Sequence, residues 1–224
     1  MKKIIIAIIS IPVLIIIILA VNYIIFQNTV NQISQGKPIT KKETLKQALL
    51  VIDVQEGTTG NYSDNEYYVI KSEDIITNIN LLADSSVKSQ IPVIYIKTVL
   101  HNFLLNIIND IYAPESPGSK LDSRLKLVSD FIFEKDKSDA FSNPALDSFL
   151  VKNAINKLVF TGLDLDGCVN NTILAAKNRK YDICLISNAV LAKSDSLKKV
   201  KLNEFRQSGF EVISSNEYFD NIHK

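Results

Sequence analysis

The hydrophobic pattern divides the chain into three parts. Residues 4–26, IIIAIISIPVLIIIILAVNYIIF, carry no charge, and about 20 such residues span the hydrocarbon core of a bilayer as a helix. A secretory signal has a shorter apolar region, followed by a small-residue cleavage site. No A-x-A pattern follows this run, so the pattern predicts an uncleaved single-pass N-terminal anchor in the lipid bilayer, kinked but not abolished by Pro12. Residues 27–46, QNTVNQISQGKPITKKETLK, are polar and without period. They predict a tether, or a stretch that packs in part on the domain as a short helix. Lysines stand on both sides of the span: Lys2 and Lys3 before it, Lys37, Lys41, Lys42 and Lys46 after it. The positive-inside rule therefore leaves the side of the membrane open.

Residues 47–224 alternate between short apolar runs and segments of helical period. The runs 48–54, 92–96, 130–133, 157–160, 182–186 and 210–213 predict six strands. Helices are predicted over 72–88, where Ile75, Ile76, Ile79, Leu82 and Ala83 recur at helical spacing, over 144–153 with Pro144 in the first turn, from Cys168, and over 196–208 up to Gly209. Residues 100–118, with Pro114, Pro117 and Gly118, predict a long loop with one helical turn. This alternation predicts an α/β fold: a Rossmann-like three-layer sandwich around a six-stranded, mostly parallel sheet, preceded by one transmembrane helix.

Charge narrows the partners. Twenty-five basic residues nearly balance 24 acidic ones, a net +1, so no basic field exists to grip nucleic acid. Two cysteines, Cys168 and Cys184, form neither a disulfide framework nor a zinc finger. Cys184 lies in an apolar run and reads as core. The histidines are His101 and His223.

Chemistry concentrates in KLVFTGLDLDGCVNNTILAAKNRKY, 157–181. A strand, a tight acidic turn and a helix place Cys168 at a helix start, where free N–H groups and the positive end of the dipole favour a thiolate. A small buried hydrophobe is the plainer alternative. In parallel sheets the ligand crevice lies off the carboxyl ends of the strands. Asp53, Lys135 and Cys168 each follow such an end. A thiol nucleophile needs a proton acceptor, a charge that favours its thiolate, and donors for the developing oxyanion. Asp53 suits the first role, Lys135 the second, and the backbone of the 164–168 turn the third. Asp53 as a turn cap and Lys135 as a surface lysine are the plainer readings.

Three blocks resemble, in order, the isochorismatase-like family of cysteine hydrolases: LLVIDVQ at 49–55, EKDKSDAFSNPAL at 134–146 and VFTGLDLDGCVNNTILAAKNRKYDICLISNA at 159–189. The resemblance covers about 45–214. It implies a Rossmann-like domain with an Asp53–Lys135–Cys168 triad and no cofactor. It also implies a cis peptide at Leu163–Asp164, with the amides of Asp164 and Cys168 as oxyanion donors. A small-molecule amide, or less favourably a vinyl ether, is the implied substrate. Association between copies is common in the family.

Several positions depart from the family pattern. Thr58 replaces a frequent Phe, Leu165 a frequent Thr, Pro144 the usual Thr after the A-F element, and Asp164 and Asp166 make the turn acidic. Acidic groups facing the thiol would oppose its ionisation; Asp166 is expected to point away. Nicotinamidase-type members bind a metal through an Asp and His residues between the first two triad positions. That interval here holds only His101, and a zinc site needs about three protein ligands, so no metal is predicted. Gln55, Thr58, His101 and Phe141 are the candidate pocket residues, with Phe103 and Tyr112 as further apolar wall. An idle, membrane-bound binding or scaffold module and a redox sensor at Cys168 are the competing readings.

Overall fold

The computed structural model describes residues 2–40 and 44–222. Lys41 and Lys42 of the expected tether and His223 lie outside the described residues. Six strands, β1 (Gln47–Ile52), β2 (Val93–Thr98), β3 (Ile132–Lys135), β4 (Lys157–Gly162), β5 (Asp182–Val190) and β6 (Glu211–Ile213), form one sheet in the order β3-β2-β1-β4-β5-β6. Every strand pair is parallel. The order reverses at β1, which lies between β2 and β4, and this is the topological switch point at which α/β sheets open a crevice.

Strand period assigns the two faces. Ala48, Leu50 and Ile52 of β1 face a layer built from α4 (Pro144–Lys152), α5 (Cys168–Asn178) and α6 (Asp195–Gln207), with Leu146, Leu150, Ile173 and Phe205 in that core. Leu49 and Val51 face α2 (Glu66–Lys88) and α7 (Ser215–Ile222) through Ile75, Ile76, Ile79, Leu82 and Tyr218. Both faces of the sheet are thus covered, as a parallel sheet requires. Gly162 closes β4 at φ 101°, and a Cβ there would lie 2.0 Å from the Ile52 carbonyl oxygen. Only glycine lets β4 approach β1 this closely at its carboxyl end.

Two helices extend beyond the sequence expectation. α2 begins at Glu66, because Asn65 Oδ1 accepts the Tyr68 amide at 3.2 Å as an N-cap. α7 was not expected. It starts with a reciprocal cap in which Glu217 accepts from the Ser214 amide at 2.7 Å and Ser214 Oγ accepts from the Glu217 amide at 3.3 Å.

The N-terminal helix α1 (Lys2–Val30) is continuous through Pro12. Its segment Ile11–Val30 has a mean hydropathy of 2.2 with no buried residue, long and apolar enough to cross a membrane. The segment read as a polar tether does not hang free where it is described. Residues 27–30 continue α1, and the extended stretch 31–40 runs across the domain. The Ser34 amide donates to Asp139 Oδ2 at 2.7 Å, the Ile39 amide donates to the Arg179 carbonyl at 2.8 Å, and Ile33 and Ile39 pack on the core. Arg179 organises this contact. Its guanidinium is buried, binds Asp147 at 2.8 Å, stacks 4.4 Å from the Phe141 ring, and donates to the Ser34 and Gln35 carbonyls. Ser34 and Gln35 lie more than 100 residues from Arg179, so local composition could not signal the docking.

Candidate active site

Three strand ends deliver the polar core of the site. β1 ends one residue before Asp53, which sits in the left-handed region at φ 52°, a conformation aspartate tolerates better than most residues. β3 ends at Lys135, and its edge position leaves Ile132 exposed while Lys135 turns inward. After β4 the turn 163–167 leads into α5, whose first residue is Cys168. The Leu163–Asp164 peptide is cis, as the family resemblance implies.

Lys135 joins these parts. Its ammonium lies 2.8 Å from Asp53 Oδ2 and donates to Cys168 Sγ at 3.3 Å, to Thr98 Oγ1 at 2.7 Å and to the Lys137 carbonyl at 3.1 Å. Thr98, the last residue of β2, in turn donates to Asp53 Oδ1 at 3.0 Å. The sequence reading missed Thr98 because it ended that strand at Ile96. A strand two residues longer would have placed the hydroxyl at the same sheet edge as Asp53.

The side chains of Asp53 and Lys135 are 5% and 1% exposed. Desolvation alone would lower the lysine pKa, but Asp53 and Cys168 outweigh it and hold the ammonium charged, above its usual value. The thiol responds in the opposite sense to the helix-start argument. Burial, aided by the Asp53 charge and opposed by Lys135, pushes the Cys168 thiol up to about 12. Lys135 is already paired with Asp53, and a thiolate would add an uncompensated buried charge. The resting nucleophile therefore keeps its proton.

The acidic turn is neutralised from outside the cluster. Asp166 pairs with Lys193 at 3.2 Å, and although burial opposes it, hydrogen bonds with Asp164 and Lys193 hold its carboxyl below the usual carboxylate range. Asp164 accepts from the Tyr68 hydroxyl at 2.6 Å, and burial beside Asp166 pushes it up to about 6. The amides of Asp164 and Cys168 have no acceptor among the described residues, whereas the Gly167 and Val169 amides both donate to the Asp164 carbonyl.

The four candidate pocket residues separate. Gln55 is fully buried: its amide donates to the Thr98 and Ser119 carbonyls and its oxygen accepts the Thr98 amide, so it ties β1 to β2. Phe141 is a core residue, set between Arg179 and Tyr181, because the short 3-10 turn at Ala140–Ser142 aims it inward. Thr58 lines a concavity with Tyr68 and Tyr112, although its hydroxyl bonds the Asp53 carbonyl. His101 is exposed at the mouth of a second concavity that reaches Lys135, 3.7 Å from Glu134. Tyr112 stands beside the crevice. Its hydroxyl donates to the Gly57 carbonyl at 2.9 Å, and burial, with Asp53 and Cys168 nearby, raises its pKa. Of the departing positions, Leu165 is buried in the core and Pro144 sits at the first turn of α4, so neither alters the polar cluster. No three His, Cys, Asp or Glu side chains among the described residues gather as a metal site.

The sequence profile of the isochorismatase domain matches residues 47–217. The chain belongs to the isochorismatase family. An uncharacterized isochorismatase family protein of Bacillus subtilis, YrdC, is 26% identical over 148 residues, which cover 66% of this chain and 74% of that protein. A cysteine hydrolase from Pseudomonas syringae has the same fold, with a TM-score of 0.72 at 21% identity over 84% of this chain and 99% of that one. N-carbamoylsarcosine amidase from Thermoplasma acidophilum is 25% identical, with a TM-score of 0.65 over 76% of this chain and 97% of that chain. The isochorismatase-family domain is that of a hydrolase.

Proposed function

We propose that this family member is a membrane-anchored thiol hydrolase that opens an amide C–N bond in a small molecule, with Cys168 as nucleophile, Asp53 as proton acceptor and Lys135 as the charge that holds both. The observation that carries the reading is the continuous contact from Asp53 through Lys135 to Cys168, at 2.8 and 3.3 Å, across the ends of three strands. The similarity to an amidase favours the C–N bond, and the apolar, unburied segment Ile11–Val30 favours the anchor.

The chemistry follows from the resting proton inventory. Asp53 takes the proton from Sγ as sulfur attacks the carbonyl carbon, so the thiolate forms only as its charge passes to the substrate oxygen. The unpartnered amides of Asp164 and Cys168 donate to that oxyanion. Asp53 then returns the proton to the leaving nitrogen, the C–N bond breaks, and a thioester remains on Cys168. Water, deprotonated by Asp53, attacks the thioester; as the C–S bond breaks, Asp53 returns that proton to Sγ, and the acid leaves with the thiol restored. Lys135 stays charged throughout and keeps Asp53 and sulfur in register.

Asp53→Asn tests these roles because it moves two readouts in opposite directions. Amide hydrolysis falls by about 10²–10⁴-fold, the usual worth of a positioned acid–base group. Labelling of Cys168 by iodoacetamide at pH 8 becomes faster, because the carboxylate that raises the thiol pKa is gone. Buried Cys184 stays unlabelled and reports an intact core. Unchanged hydrolysis, or slower labelling, contradicts the assignment.

A further inference from the structure

The end of α1 is joined to the site itself. The Val30 carbonyl accepts from the Ser138 amide at 2.9 Å and from Ser138 Oγ at 2.8 Å, and Ser138 Oγ also accepts from Asn171 on α5. Ser138 stands three residues after Lys135. Phe26, the last residue of the apolar run, precedes Val30 by one helical turn, about 6 Å along the axis. If α1 crosses a bilayer, the catalytic face therefore lies at the headgroup layer, with no free linker between them.

The loop 100–112 occupies that boundary. Its base closes where the Leu100 amide donates to the Tyr112 carbonyl at 2.7 Å, which sets Tyr112 at its end near Cys168 and Asp53. Its single helical turn, α3 (Phe103–Asn106), lies against α1 across a groove of about 490 Å³, lined by Ile25, Phe26, Phe103 and Leu104 and, on its polar side, by Asp136 and Lys137. The stretch 102–109, NFLLNIIN, has no charge, yet Phe103, Ile107 and Ile108 are 75%, 59% and 61% exposed. Three large apolar side chains at one loop tip, continuous with the apolar side of a spanning helix, match the amphipathic pattern that enters a lipid interface.

We propose that residues 103–108 seat in the same lipid leaflet from which α1 emerges, so that the loop beside the site is a membrane-docked lid. This rests on the anchored reading of α1, and the experiment separates the two. The chain contains no tryptophan, so one substitution gives a single reporter. Full-length Phe103→Trp and Ile108→Trp, Ile18→Trp within the span, and Val200→Trp on α6 are each reconstituted in bilayers with and without bromine on the acyl chains. Val200 is exposed, and α6 packs beside β6, at the opposite edge of the sheet from β3. Phe103→Trp and Ile108→Trp lose about half of their emission to brominated lipid, as suits a ring ~5–10 Å into the headgroup boundary. Ile18→Trp loses more and Val200→Trp keeps its emission. Full emission from both loop reporters with Ile18→Trp quenched overturns the docked lid and leaves the surface to another partner. An unquenched Ile18→Trp overturns the anchor and the lid together.

Discussion

Cys168→Ala lowers amide hydrolysis by at least about 10³-fold, the scale on which removal of a covalent nucleophile acts, and leaves the melting temperature nearly unchanged. Both halves follow from the contacts. Sulfur is the one atom of the cluster placed to bond the substrate carbon, so nothing replaces it. Lys135, on losing that acceptor, keeps Asp53, Thr98 and the Lys137 carbonyl, so no buried charge is stranded. Cys184→Ala is the matched control. Cys184 is fully buried in β5 within the opposite core layer, so its loss costs packing and not turnover. Steady-state kinetics on a panel of small amides, read beside thermal melts, checks both. Undiminished turnover by Cys168→Ala removes the nucleophile from the account.

Lys135→Met is expected to damage activity and stability together. Asp53 would remain a buried carboxylate without its counter-charge, and breaking a buried pair from one side costs about 3–5 kcal/mol, or about 10 °C in melting temperature for a chain of this size. The pH sign is fixed by direction. The folded-state pKa of Lys135 is raised, so its stabilisation is fully present below the unfolded lysine pKa and is lost only as pH climbs through the higher folded value. Between pH 5 and 9 the deficit of Lys135→Met is therefore not relieved by a change in the lysine's own charge. Adding Asp53→Asn to Lys135→Met removes the stranded carboxylate and recovers most of the lost stability, with no recovery of hydrolysis. That non-additivity is the signature of a coupled pair. Thermal melts of the two single variants and the double variant, with activity measured on each, check it; strictly additive losses contradict it.

The parts of the site legible in the sequence are those tied to strand ends. Asp53, Lys135 and Cys168 each follow an apolar run, and the parallel sheet converts that local signal into a shared edge. What escaped reading depends on contacts made at long range. Thr98 required the correct end of β2. The burial of Gln55 and Phe141 depends on Ser119 and Arg179, 64 and 38 positions away. The docking of residues 31–40 rests on Asp139 and Arg179. By contrast α7 was signalled locally, by Ser214 and Glu217 at capping-box spacing, and went unread because its apolar content is low. Burial raises the thiol pKa where the helix start alone would lower it, and helix position is visible in sequence while desolvation is not.

The central claim is that substrate carbon becomes bonded to Cys168. The most direct test mixes full-length protein with a hydrolysed amide, quenches with acid during turnover, and weighs the peptides carrying each cysteine. The account predicts an acyl increment on the Cys168 peptide, absent from the Cys184 peptide, lost in Cys168→Ala, and decaying as acid product appears. Turnover by the native chain with both cysteine peptides at their unmodified masses throughout contradicts it.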